Sequence, residues 1–126
     1  MQRLIYIVWF VFFVPIAAYA EPGDGPGAAD IRFNNNWVAV TGECRDWAFR
    51  TVAGMPSLSV DVGEGQNADE LMFYDNATYM DGDAAWSIQN LDTLKQTETG
   101  YILTGVFMNA QEDDKPTPMQ IEVICP

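Results

Sequence analysis

Apolar and polar residues alternate with a period of two through most of the chain, the pattern of half-buried β-strands. Val38 and Val40 alternate with Ala39 and Thr41 on the way to Cys44, and Trp47 and Phe49 alternate with Ala48 and Arg50. Leu58, Val60 and Val62 set against Ser57, Ser59 and Asp61 give the cleanest alternation. Tyr101 to Met108 is apolar on both faces, as a central strand requires. Met119, Ile121, Val123 and Cys125 alternate with Gln120 and Glu122 and predict a last strand. Cys44 shares the Val38/Val40 face and Cys125 the Ile121/Val123 face, so both thiols are expected to point inward.

Turn chemistry separates these runs. Gly54-Met55-Pro56, Gly63-Glu64-Gly65, Asp81-Gly82 and Gly100 are the breakers. Asp81-Gly82, between 77–80 and 84–88, predicts a two-residue hairpin. Asn109 to Pro118 reads as a polar loop, and Asn76-Ala77-Thr78 as a turn that is also an N-glycosylation acceptor in a eukaryotic source. Six to eight short strands predict a mainly β fold, a small antiparallel barrel or sandwich. One segment supports a second reading. Ala84, Ile88, Leu91 and Lys95 fall at helical spacing after Asp83, a good N-cap residue, with Gly100 beyond the end, so 84–97 also fits a helix packed on the sheet.

The first residues change the picture from a fold to an address. Met1-Gln2-Arg3 is a basic start, Leu4 to Ala18 is almost wholly apolar, and Ala18-Tyr19-Ala20 has the small-x-small pattern of a signal peptidase site. The run is short for a bilayer span and Pro15 interrupts it. Residues 1–20 are therefore expected to be a cleaved signal peptide, with the mature chain starting at Glu21 in the periplasm or outside the cell. No later stretch is expected to cross a membrane. Glu21 to Asp30, with two prolines and three glycines, reads as a flexible leader, and 31–126 as a single β-rich domain. Its aromatic residues Phe33, Trp37, Trp47, Phe49, Phe73, Tyr74, Tyr79, Trp86, Tyr101 and Phe107 supply a core, each able to bury about 150–250 Å².

Charge narrows the partners. Of six Lys and Arg, Arg3 lies in the signal, which leaves five against 18 Asp and Glu and a net charge of −13 after cleavage. Such a balance repels phosphate backbones and argues against nucleic acid. It suits solubility, and it suits attraction to a basic protein. The densest negative run, Glu112-Asp113-Asp114, is the candidate contact. Cys44 and Cys125, 81 residues apart, are expected to form one structural disulfide in an oxidising compartment, leaving no thiol for catalysis.

Candidate chemistry is sparse. The sequence has no histidine, which removes His-based triads, imidazole acid–base catalysis and ordinary zinc or copper sites. No glycine-rich loop precedes a Lys-Ser or Lys-Thr pair, and Ser57, Ser59 and Ser87 lack a G-x-S-x-G setting. Carboxylates are plentiful but fall in no hydrolase motif. The chain is expected to be non-enzymatic, with no cofactor and no metal. Asp75, Asp81 and Asp83 offer oxygen ligands for calcium around a predicted turn, but without the spacing of a calcium loop, and read as a solvated hairpin. Among Trp37, Trp47 and Trp86, which invite a stacking role, Trp37 is the best candidate for ligand contact, since it follows Asn34-Asn35-Asn36 and is placed at a barrel mouth.

A tryptophan before a first-strand cysteine and a second cysteine at the end of a β domain resembles the layout of small exported antiparallel barrels, such as lipocalin-like domains and the exported protease or lysozyme inhibitors of bacteria. The resemblance covers Trp37 to Cys125 and implies a binding role without assigning residues. The expectation is an exported binding protein with a basic protein partner. A small barrel holding an apolar ligand and a structural envelope component are the alternatives.

Overall fold

The computed structural model describes residues 23–67 and 70–126, with the backbone alone at 112–114. The expected signal peptide lies outside the described residues. The alternating pattern becomes eight strands: β1 (Gly25–Phe33), β2 (Asn36–Arg45), β3 (Ala48–Arg50), β4 (Ser57–Glu64), β5 (Leu71–Asp81), β6 (Ala84–Gln96), β7 (Gly100–Asn109) and β8 (Glu112–Ile124). Each pairs antiparallel with the next, and β1 pairs with β8, which closes a barrel. Closure removes the free edges that an open sheet of this size would present.

Interior positions include those the alternation marked on β3, β4 and β8, and on β7 every second residue from Tyr101 to Phe107. Ile31, Phe49, Leu58, Val60, Val62, Leu103, Ile121 and Val123 are buried in one cluster, with Tyr79, Tyr101 and Phe107. An eight-stranded barrel has an interior just wide enough for side chains to fill, and this one is filled by aliphatic and aromatic residues from every strand except β6, whose Trp86, Ile88 and Leu94 are partly buried against the cluster.

Cys44 and Cys125 form the expected disulfide, with Cα atoms 5.8 Å apart. β1 lies between β2 and β8, so the bond ties the end of β2 to the residue after β8 across β1. Burial of both cysteines matches the inward faces read from the alternation.

Two hairpins use two-residue turns with both central residues at positive φ. Asn34 and Asn35 (φ 49° and 64°) join β1 to β2, and Asp46 and Trp47 (φ 52° and 72°) join β2 to β3. Asparagine tolerates this conformation; a bulky tryptophan does so only when its surroundings hold it. Here the indole covers Gly23, where a Cβ would stand 2.9 Å from the ring, and its Nε1–H donates to Glu64 Oε2 at 3.4 Å. Trp47 thus caps the lower end of the barrel, at which the chain enters at Gly23 and leaves at Pro126. The upper end carries the turns at 34–35, 51–56, 82–83 and 110–111.

Several expectations are corrected. The segment 84–97 is not a helix: it is β6, paired with β7 from Trp86↔Asn109 to Gln96↔Tyr101. From Gly25 the expected leader is already β1, in register with β2 along its whole length. The expected 109–118 loop is the end of β7, a turn at 110–111 and the start of β8. Pro116 and Pro118 fit there because β1 pairs with β8 only at residues 120–124, leaving one side of this stretch without a ladder to interrupt. The β5–β6 turn is centred on Gly82-Asp83, one residue later than read, with Gly82 at φ 62°. Asn76 to Thr78 lies within β5 and is not a turn.

β5 and β6 pair only from Thr78↔Ser87 to Asp81↔Ala84. Below this the two strands part, β5 staying with β4 and β6 with β7. Leu91, inward by register, is 36% exposed at this seam.

Candidate functional site

The upper end brings two acidic tips together. Asp81 and Asp83 are exposed on the β5–β6 hairpin. Gln111, at the tip of the β7–β8 hairpin, donates from Nε2 to the Asp83 backbone oxygen at 2.5 Å. The backbone of Glu112-Asp113-Asp114 follows directly, with Glu112 opposite Asn109, so the sequence-predicted acidic run starts beside Asp83. Its three side chains lie outside the described residues.

Beneath these tips an aromatic plug fills the mouth. Phe33, Tyr79 and Trp86 converge from β1, β5 and β6, with ring centroids 5.2–5.7 Å apart. The Tyr79 hydroxyl donates to Asp81 Oδ2 at 3.3 Å. Burial first, and the Asp81 charge second, push the Tyr79 phenol up to about 12, because ionisation would put a second negative charge in a dry place. The mouth is a packed end of the core.

Trp37 is not in that mouth. It sits on the outer face of β2, 65% exposed, with the Arg32 guanidinium 4.4 Å from its ring centroid. Arg32 and Trp37 are cross-strand partners, so the pair is a cation–π contact on the outer wall. β1 separates Trp37 from β8, and the structure does not unite it with the 112–114 run. Trp47 and Trp86, by contrast, pack against the core.

Asp75 is likewise apart from Asp81 and Asp83. Two extra residues, Tyr74 and Asp75, bulge from β5 between the pairs Val62↔Phe73 and Asp61↔Asn76, with Asp75 at φ 64°. Among the described residues no group of three or more Cys, Asp or Glu is placed to hold a metal ion. No helix among them is long and apolar enough to cross a membrane.

The bulge has a second effect, unread in the sequence. It turns Tyr74, expected in the core, onto the outer face, 56% exposed. The ring lies over Gly63 of β4, where a Cβ would stand 2.8 Å from Cε2. Tyr74 borders an open groove of about 820 Å³ on the outer face of β2–β5, with Glu43, Arg45, Arg50, Asp61 and Glu64. Asp61 is fixed there by Asn76 Nδ2–H at 2.8 Å and by an ion pair with Arg50 at 3.5 Å. The alternation does place Glu43, Arg45, Arg50 and Asp61 on outward positions of adjacent strands; the missing signal was the bulge that adds the tyrosine.

No protein-family model, curated protein or solved structure matches this chain.

Proposed function

We propose that the protein is an exported, non-enzymatic binding module whose upper end docks on a basic protein. The observation that carries this reading is the Gln111–Asp83 hydrogen bond, which sets Asp81 and Asp83 beside the 112–114 acidic run in a chain of net charge −12. A filled interior favours recognition by the surface over an apolar ligand held between the strands. The disulfide accords with an oxidising compartment and hence with export after removal of residues 1–20.

Charge of this kind acts mainly on encounter, so association should slow as salt shortens the screening length from about 30 Å at 0.01 M to about 8 Å at 0.15 M. The test is capture with the disulfide-bonded protein starting at Glu21, followed by kinetics on the captured species. A basic partner whose association rate falls with salt, and falls again with Glu112→Gln, Asp113→Asn and Asp114→Asn combined, supports the reading. An acidic partner, or salt-independent association, overturns it.

A further inference from the structure

The outer groove at the lower end of β2–β5 is chemically distinct from the acidic tips. Its volume, about 820 Å³, falls within the range of small-molecule sites, about 300–1,000 Å³. Two of the five cationic residues after the expected signal peptide, Arg45 and Arg50, line it together, in a chain where acidic residues outnumber basic ones threefold. They stand among four carboxylates, Glu43, Asp46, Asp61 and Glu64, so the wall offers guanidinium donors and carboxylate acceptors side by side. Tyr74 adds an exposed flat ring whose position is set by Gly63 beneath it. Asp61 is held by Arg50 and Asn76, and Glu64 by the Trp47 indole, so two of the acceptors are fixed before any ligand arrives.

We propose that this groove binds a neutral oligosaccharide, with one sugar ring stacked on Tyr74 and its hydroxyls bridging Arg45, Arg50, Asp61 and Glu43. The mixture of charges selects the ligand class. An anion meets the carboxylates, and a cation meets two guanidiniums. A polyhydroxylated neutral ring both accepts from arginine and donates to carboxylate, and its C–H face is apolar enough to cover a phenol ring. The groove is open to solvent, which suits the interior of a glycan chain better than a small enclosed molecule.

The test is titration calorimetry of the disulfide-bonded protein starting at Glu21 with cellohexaose, maltohexaose, mannohexaose and chitohexaose, with hexalysine as the competing chemistry. Binding of at least one hexaose at a dissociation constant on the order of 1 mM or tighter is expected. It should weaken about tenfold or more in Tyr74→Ala and in Arg45→Gln, and be retained in Tyr74→Phe and in Trp37→Ala. Circular dichroism checks that each variant is folded; should Tyr74→Ala fail to fold, Arg45→Gln and Tyr74→Phe decide alone. No binding of any hexaose at that concentration overturns the proposal, as does binding that Arg45→Gln leaves unchanged. Hexalysine binding lost in Tyr74→Ala, with no hexaose bound, overturns it in favour of a cationic side chain. These outcomes do not bear on the acidic tips, which the groove variants leave intact.

Discussion

Gly27 on β1 lies against the Cys44 sulfur: a Cβ added there would stand 2.6 Å from Sγ and 2.8 Å from the Ile124 carbonyl oxygen. β1 can pass beneath the disulfide only because this position has no side chain. Gly27→Ala should therefore lower stability by about 1–3 kcal/mol, the usual cost of overpacking, or leave the thiols unjoined. Urea denaturation together with thiol titration reads both, and an unchanged midpoint with no free thiol would refute the steric argument.

Removing the bond itself should cost more. The disulfide spans 81 residues, and loss of a native bridge in a small domain typically costs about 2–5 kcal/mol. The Cys44→Ala, Cys125→Ala double variant should unfold at lower urea by that amount. A variant as stable as the oxidised protein would show that the barrel closes without help.

Stability should also fall at high pH. Both buried phenols are pushed upward, Tyr79 to about 12 by burial and Asp81, and Tyr101 further in the same direction by burial and then Asp61. A raised phenol pKa means the fold favours the protonated form. The contribution is complete below the unfolded value of about 10 and disappears as pH climbs through the folded values. Denaturation midpoints should thus fall from about pH 10 upward, with a smaller fall in Tyr79→Phe. Equal falls in the variant and the parent would exclude Tyr79 as a source.

The Phe33, Tyr79 and Trp86 cluster predicts a measurable coupling across the mouth. Phe33→Ala and Trp86→Ala should each destabilise, and the double-mutant cycle should give about 0.5–1.5 kcal/mol of interaction, as for other aromatic pairs. Additive effects would mean that the 5.2 Å contact carries no energy beyond burial.

The seam between β5 and β6 predicts uneven hydrogen exchange. Amides of 78–81 and 84–87 lie in the shared ladder and should be protected. From 88 to 96, those amides that face β5 have no strand opposite and should exchange quickly, while those that face β7 stay protected. Uniform protection along β6 would show that the strands pair further than four positions.

Much of this architecture was legible because burial in a barrel alternates as strictly as the backbone does. Val38, Val40 and Cys44, the Leu58–Val62 run and the Met119–Cys125 run all face the side their spacing implied. Two of the failures, at β6 and at Tyr74, share one physical source, the β-bulge, which adds residues without advancing the register. In β6 the pairing shifts between Ile88 and Asn90 and again between Leu91 and Thr93. Each shift lengthens the inward repeat from two residues to three, so Ile88, Leu91 and Leu94 face Phe107, Gly105 and Leu103 in turn. That spacing imitates a helix. The bulge at Tyr74 and Asp75 hid the groove in the same way, by turning outward an aromatic residue that composition assigned to the core. The acidic run at 112–114 was legible as charge, but its neighbour Asp83 became apparent only through the fold.

The disulfide also divides the chain into a ring and an arm. Residues 44–125 form a covalently closed loop that contains β3 to β8, while β1 and most of β2 hang from it as an open-ended segment. That segment completes the barrel through only five register positions between β1 and β8. In the oxidised protein, opening of the β1–β8 ladder would leave the topology of the ring unchanged. Reduction opens the ring, so the redox state decides whether β3 to β8 are held by a covalent closure or by their ladders and the core alone.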